Sequence, residues 1–270
     1  MHFFPSLNHI TGHLIRYLKY FFTAGHLGGY GLHSPFMFTF YKKVIARSAG
    51  KELKRVRRRS HHLKRDKRLV HCPGGWGAGS KRLKGAGEKL RHIVRHSSVS
   101  YKYGKILYNI VREYQPATIL ELGTSVGVST MYLAEARPEA LLYSLEGCPE
   151  KLAVARENSQ FLEHPNVCFV EGDFGETLPD LLPRMGPVDM VFMDGNHRKE
   201  PTLNYFAQLE PYLHAYSIVI VDDIYWSPEM KEAWNEIRRR PVVKVSVDLF
   251  RMGILFFRDE LYPQRFKIRY

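Results

Sequence analysis

Long apolar runs are missing from this chain. No stretch approaches 18 consecutive apolar residues, so no helix is expected to cross a membrane. Cysteine is scarce. Cys72, Cys148 and Cys168 are widely spaced, with no C-x-x-C pair to hold zinc and no plausible disulfide framework. The aromatic, histidine-rich N-terminus lacks the small-residue cleavage site of a signal peptide. Together these point to a reducing cytoplasm. Acidic residues are nearly absent from residues 1–102, which hold 22 Lys+Arg against Glu52, Asp66 and Glu88, a net of +19. Residues 103–270 hold 18 against 24, a net of −6, and the two parts sum to the +13 of the whole chain. The basic character therefore belongs to the first third.

What is present suits a folded globular protein, with a hydrophobic fraction of 44% and an aromatic fraction of 13%. The length allows one large domain with an appendage. The expected division is a helical, strongly basic N-terminal extension over 1–102, containing a Gly-rich loop, and a main domain over 103–270. Within the extension, Leu7, Ile10, Leu14, Ile15, Leu18, Phe21 and Phe22 recur at helical spacing, predicting an amphipathic helix over 7–23. Such a helix packs on the main domain or across a dimer, or lies on a membrane surface. Ser34 and Pro35 start a second helix, to about Arg47. Residues 47–71 form a basic run that would attract the phosphates of nucleic acid or of anionic lipid. No aromatic residue interrupts 51–70, which weakens a single-strand RNA reading based on stacking. Residues 72–80, C-P-G-G-W-G-A-G-S, form a glycine-rich loop without a P-loop match. Helices follow over 86–113, with a break at 97–100.

The chain is organised around Thr118 to Ala134. A short apolar run ends in Glu121, Gly123 and Gly127 follow, and then a helical pattern begins. That is a strand, a tight turn and a helix N-terminus, which offers unpaired N–H groups to a nucleotide-like ligand. The spacing is G-x-x-x-G, not the dinucleotide fingerprint G-x-G-x-x-G. Strands are then expected at 141–145, 167–171, 188–193 and 217–221, each followed by a helix, with a final antiparallel pair at 242–248 and 252–258. This is an α/β fold with a mostly parallel sheet covered on both faces. Glu121, Glu146, Asp173, Asp194, Asp222 and Asp223 gather at strand C-termini, where ligands of such sheets bind. Glu146 is placed to hold both hydroxyls of a ribose, and Asp173 with Phe174 to line a base.

From about Tyr103 to Arg258 the chain resembles the class I S-adenosylmethionine-dependent methyltransferases. The residues carrying the likeness are I-L-E-L-G-T-S-V-G-V-S-T (119–130), L-E-G (145–147), E-G-D-F (171–174), F-M-D-G-N-H (192–197) and I-V-D-D-I-Y-W (220–226). The likeness is closest to the cation-dependent, catechol-type O-methyltransferase group. G-L-H-S-P-F, G-A-G-S and S-x-K-Y-G (100–104) look like an uncharacterised bacterial subfamily of it. The resemblance implies a Rossmann-like, seven-stranded, mostly parallel sheet ending in an antiparallel hairpin. It implies S-adenosylmethionine over Glu121, Gly123, Thr124, Ser125, Gly127 and Ser129, with Glu146 at the ribose and Asp173, Phe174 and Asp194 completing the cofactor site. It also implies Mg²⁺ or another divalent cation on Asp194, Asp222 and Asp223.

His197 stands where the group has a lysine base, so His197 and Asp194 are the expected catalytic pair. Asp223 replaces an asparagine, which leaves open a metal-free acid–base pair of Asp223 with His197. The expected reaction is O-methylation of a small hydroxyl substrate. Tyr205, Phe206, Tyr225 and Trp226 near the pocket fit an aromatic or lipid-like molecule. The alternative is an RNA methyltransferase gripping RNA through 47–71, although D-G-N-H stands where base-amino methyltransferases have [D/N]-P-P-[Y/F/W]. A non-enzymatic basic interaction protein and an NAD enzyme are the remaining readings. A homodimer, and a nucleic acid or an anionic membrane surface as partner, are further expectations. The expected location is cytoplasmic, or peripheral at the membrane.

Overall fold

The described part of the basic N-terminal third packs on the central sheet. A computed structural model describes residues 7–72 and 87–270. The expectations for the glycine-rich loop beyond Cys72 and for the first six residues lie outside them. Helix α1 (Leu7–Thr23) spans the expected amphipathic stretch. Helix α2 (Pro35–Phe40) begins at its expected cap, where Ser34 Oγ accepts the Met37 N–H at 3.4 Å, and it runs on as a π-helical turn over Tyr41–Ile45. The basic run forms α3 (Lys54–Leu63), which buries Val56 and Leu63. Leu32, Met37, Phe40, Val44, Leu53, Val56 and Leu63 share one apolar cluster with Ile119, Ile220 and Ile254 of the central sheet.

Two sets of cations stand out in the basic run. Arg55 donates to Leu162 O at 3.1 Å, Arg59 to Asn158 Oδ1 at 2.6 Å, and Arg68 forks onto Glu157 at 2.9 and 3.0 Å. Lys54, Arg57, Arg58, His61, His62 and Arg65 instead line an open surface hollow. A short antiparallel hairpin follows, β1 (Leu69–Val70) with β2 (Glu88–Lys89). Then come α4 (Leu90–His96) and α5 (Tyr101–Tyr114), separated at the expected break.

One expectation about cysteine is overturned. Cys72 and Cys148 form a disulfide, with Cα atoms 5.4 Å apart and a sequence separation of 76. Cys168 is free and exposed. Cysteine spacing in a chain of this size does not report which sulfurs meet. Here tertiary docking brings them together: the His71 N–H donates to Glu150 Oε2 at 2.6 Å, in the first turn of the helix that follows Cys148.

The main sheet contains β3 (Thr118–Leu122), β4 (Leu141–Glu146), β5 (Val167–Glu171), β6 (Met190–Met193), β7 (Ile218–Val221), β8 (Val245–Asp248), β9 (Gly253–Phe256) and β10 (Gln264–Lys267). Their order is β10-β8-β9-β7-β6-β3-β4-β5. The five strands β3 to β7 are parallel, and β9 runs antiparallel to both β7 and β8, as the short connection requires. The seven expected strands are present, and the sheet gains an eighth at its edge, β10, parallel to β8. Its sequence, Q-R-F-K, is half exposed and carries no apolar signal of a strand. Helices α6 (Val128–Ala136), α7 (Pro149–Leu162), α8 (Phe174–Met185), α9 (Lys199–Leu209) and α10 (Pro228–Ile237) complete the alternation. Among the described residues no helix is long and apolar enough to cross a membrane.

Asp248, at the end of β8, is buried. Its Oδ1 accepts the Phe250 N–H at 2.9 Å and its Oδ2 accepts the Tyr225 hydroxyl at 2.8 Å. Burial nevertheless holds the carboxyl above the usual range. The folded chain therefore retains a proton that the unfolded chain has lost. The carboxyl's contribution to stability is fully present below the ordinary carboxylate pKa and is lost as pH rises through the raised one. Asp248→Asn can still accept from Phe250 and can donate to Tyr225. Chemical denaturation of Asp248→Asn across that window should show a shallower decline with pH than the parent, and an unchanged slope would refute the assignment.

Candidate functional site

The turn after β3 works only with glycine. Gly123 has φ +109°, and a Cβ there would meet Asp194 O at 2.1 Å. The Gly123 and Thr124 N–H groups both donate to Leu145 O at 3.0 Å, which pulls the turn across β4. Gly127, at φ 79°, caps α6. Gly186 is the natural control: its φ is +69°, but a Cβ there would meet nothing within 4 Å. Gly186→Ala should therefore cost only the backbone strain, about 1–3 kcal/mol, and Gly123→Ala should exceed it by the clash with Asp194 O. Equal effects in urea titrations would contradict the close approach.

Beneath the turn lies a buried polar network. Glu121 is 0% exposed, and its Oε2 accepts the Thr130 and Ser144 hydroxyls, each at 2.5 Å. Thr124 Oγ1 is bonded to Ser144 Oγ at 2.5 Å. Burial raises the Glu121 carboxyl, and the hydroxyls of Ser129, Ser144 and Thr130 oppose that rise. Glu121, Thr124 and Ser129 thus support the turn from below. Glu146 is fixed by two backbone donors: Ser125 N–H to Oε2 at 2.8 Å and Cys148 N–H to Oε1 at 2.9 Å. Each oxygen keeps lone-pair capacity for a ligand hydroxyl. Asp173 caps α8 by accepting the Gly175 N–H at 2.8 Å. Phe174 stands edge-on to Tyr205 with ring centroids 5.6 Å apart. A Cβ on Gly195 would meet Phe174 at 2.3 Å, a close approach that the sequence reading missed.

The acidic centre sits at the ends of β6 and β7. The Asp194 N–H donates to Leu122 O at 2.8 Å, which binds this loop to the glycine turn. Asn196, His197 and Asp223 all have positive φ (66°, 32° and 52°), a concentration of backbone strain typical of functional loops. His197 Nε2 lies 3.6 Å from Asp194 Oδ1 and 3.9 Å from Asp223 Oδ2. One donor atom each from Asp194, His197 and Asp223 fall within 4.8 Å of one another. Two carboxylate oxygens and an imidazole nitrogen so placed can hold a divalent cation.

Asp222 is tied to Arg251. It is 0% exposed, and Arg251 Nε and Nη2 donate to its Oδ2 at 3.1 and 2.9 Å. Arg251 Nε also lies 3.3 Å from Asp223 Oδ1. Of the expected ligand set, the structure brings Asp194 and Asp223 together with His197 and pairs Asp222 with Arg251. Burial, then the nearby Asp222 and Asp223 charges, push the Asp194 carboxyl well up. Burial also raises Asp222, opposed by Arg251. Burial disfavours the Arg251 charge, but Asp222, Asp223 and Asp194 outweigh it and raise the guanidinium further, so it stays charged. Arg251 escaped the sequence reading. It occupies the connection between β8 and β9, where its carbonyl accepts the Ile224 N–H at 3.0 Å. The only advance signal was a cation in the loop of a hairpin expected beside β7.

Helix α1 roofs these loops. Arg16 donates to Tyr225 O and Trp226 O, both at 3.0 Å. Tyr225 stacks on Phe250 at 4.9 Å, and His13, Tyr17 and Tyr20 surround the same ring at 5.0–5.2 Å. Among the expected pocket aromatics, Phe206 belongs to the core and Trp226 is 40% exposed. The Tyr205 hydroxyl accepts from Asn196 Nδ2 at 3.1 Å.

Known proteins share this sequence family and fold. Residues 120–224 match the family model described as a methyltransferase domain. The chain is 31% identical over 162 residues to the Probable O-methyltransferase Rv1703c of Mycobacterium tuberculosis, covering 53% of this chain and 69% of that protein. It is 32% identical over 134 residues to a catechol O-methyltransferase of Niastella koreensis, covering 47% of this chain but only 58% of that enzyme. Among solved structures, cofactor-bound Rv0187 from MTB superposes with a TM-score of 0.53 at 25% identity, over 61% of this chain and 84% of that one. The O-methyltransferase TomG from Streptomyces achromogenes, in complex with SAM, shares the fold, with a TM-score of 0.53 at 23% identity over 60% of this chain and 82% of that one. The matched segment contains the glycine turn, Glu146, Asp173, Asp194, Asp222 and Asp223, the same residues that line the strand ends here. The chain belongs to the class I S-adenosylmethionine-dependent O-methyltransferases.

Proposed function

We propose that this methyltransferase methylates a hydroxyl oxygen of a small, aromatic acceptor, with His197 as the proton acceptor. The observation that carries this reading is His197 Nε2 poised between Asp194 Oδ1 and Asp223 Oδ2. Imidazole accepts a phenolic proton near neutral pH, and the two carboxylates would stabilise the imidazolium that forms. The glycine turn, Ser125 and Glu146 would align the donor. Tyr225, Trp226 and Tyr205 would flank the acceptor ring. The acceptor oxygen then attacks the sulfonium methyl in line, a displacement that depends mainly on alignment and exclusion of water. A divalent cation such as Mg²⁺, held by Asp194 and Asp223 with His197 beside them, would polarise the acceptor hydroxyl. Asp222 enters that set only if Arg251 releases it.

The test is transfer of labelled methyl from S-adenosylmethionine to a panel of catechols, phenols and aliphatic alcohols, with and without a chelator. Labelled methyl ether on a phenolic acceptor supports the reading, and no product from any hydroxyl sinks it. Full activity under chelation removes the cation and leaves His197 as the sole activator. A second reading, RNA methylation, rests on the exposed face of Lys54, Arg57, Arg58, His61, His62 and Arg65. It requires RNA binding that weakens steeply with salt and vanishes when that face is neutralised.

A further inference from the structure

Helix α1 has two unlike faces. His13, Arg16, Tyr17 and Tyr20 pack over Phe250 and Tyr225. Leu14, Ile15, Leu18 and Phe22, spaced i, i+1, i+4 and i+8, fall on another face and are 54%, 65%, 45% and 78% exposed. Exposed apolar residues scattered singly need no explanation, but four in one helical stripe do.

The stripe is bordered by cations. Lys19 is exposed on the same helix, and the Lys267 ammonium donates to Thr23 Oγ1 at its C-terminal end. Arg269 holds the C-terminal turn of α1 through Phe21 O at 2.7 Å. Asp248, the carboxylate that acts on Lys267, is buried against Tyr225. An apolar helical stripe flanked by Lys and Arg suits the interface of an anionic bilayer, with side chains at the acyl boundary and cations at the headgroup phosphates. A second copy of this chain is a poorer occupant, because a symmetric contact through the stripe would bring two sets of these cations together.

We propose that α1 docks this chain on an anionic phospholipid surface through Leu14, Ile15, Leu18 and Phe22. The face of α1 opposite the lipid holds the loops that carry Asp222, Asp223 and Arg251. Docking therefore sets the site about one helix diameter, ~10 Å, from the headgroups. Resting on the proposed reaction, this favours acceptors with an apolar body whose hydroxyl reaches that distance.

The test is cosedimentation of the full chain with phosphatidylcholine vesicles, with and without phosphatidylglycerol. Binding should be at least about tenfold stronger with the anionic lipid and should weaken with salt. The fourfold variant Leu14→Gln, Ile15→Gln, Leu18→Gln, Phe22→Gln should lose at least about tenfold in vesicle binding. Its S-adenosylmethionine affinity by calorimetry should match the parent, which shows that it is folded. Equal binding to both vesicle types, or undiminished binding by the variant, overturns the proposal. So does a dimer in light scattering that the same variant converts to monomer without any vesicle binding, which would assign the stripe to a second copy. Vesicle binding is read without turnover, so failure of the proposed methylation leaves this result standing.

Discussion

His197→Ala is expected to lower kcat by about 10²–10⁴-fold, the range typical of removing a positioned general base. The affinity for S-adenosylmethionine should change little, because the glycine turn and Glu146 are held by contacts independent of His197. The effect should appear in kcat and kcat/KM together, since proton transfer belongs to the transition state. It should shrink for acceptors whose hydroxyl is already ionised at the assay pH, since these need no base. A general loss across all acceptors, acidic or not, would instead mean that His197 shapes the loop. An unchanged kcat would remove the base assignment altogether.

Arg251→Met should destabilise the protein by about 3–5 kcal/mol, the cost of leaving a buried carboxylate without its partner. Asp222 has no solvent exposure with which to compensate, while the Arg251 side chain is 25% exposed, which favours the lower end of that range. The pair variant Arg251→Met/Asp222→Asn should recover much of the loss, since the stranded charge is gone. Strict additivity of the two single substitutions in a denaturation cycle would refute the pairing. The same substitution has a chemical consequence. With Arg251 gone, Asp222 joins Asp194 and Asp223 as a cluster of three carboxylates. Added Mg²⁺ should then raise the Tm of Arg251→Met more than that of the parent. In the parent, Arg251 already supplies a positive charge to this cluster.

The elements legible in the sequence were those whose residues carry their own signal. The β3 turn was readable because Gly123 and Gly127 follow an apolar run and precede a helical period, and Gly123 proves necessary by its contact with Asp194. The acids at strand ends were readable because continuous apolar strands stop abruptly at them. What escaped depends on tertiary contact. Asp222 and Asp223 are adjacent, and successive residues leaving a strand start on opposite faces, so Asp223 could reach His197 while Asp222 stays buried under Arg251, which touches both. That alternation was available in the sequence, but Arg251, the partner that explains it, lies 29 residues on. The edge strand β10 is polar and gains its place by pairing with β8. Cys72 and Cys148 meet only because β1 and α7 come together. Helix α1 was legible as amphipathic, yet its apolar stripe proved to face outward while an aromatic face packs on Phe250.

The disulfide also gives the chain a covalent ring. Its circumference contains Glu121, the glycine turn and Glu146, whereas Asp173, Asp194, His197 and Asp223 lie outside it. A single peptide cleavage anywhere between Cys72 and Cys148 opens the ring without parting the molecule. The two pieces stay joined through sulfur and separate only on reduction. Under oxidising conditions the half of the site that grips the donor is thus a tethered unit, while the half that performs the chemistry hangs from a linear chain.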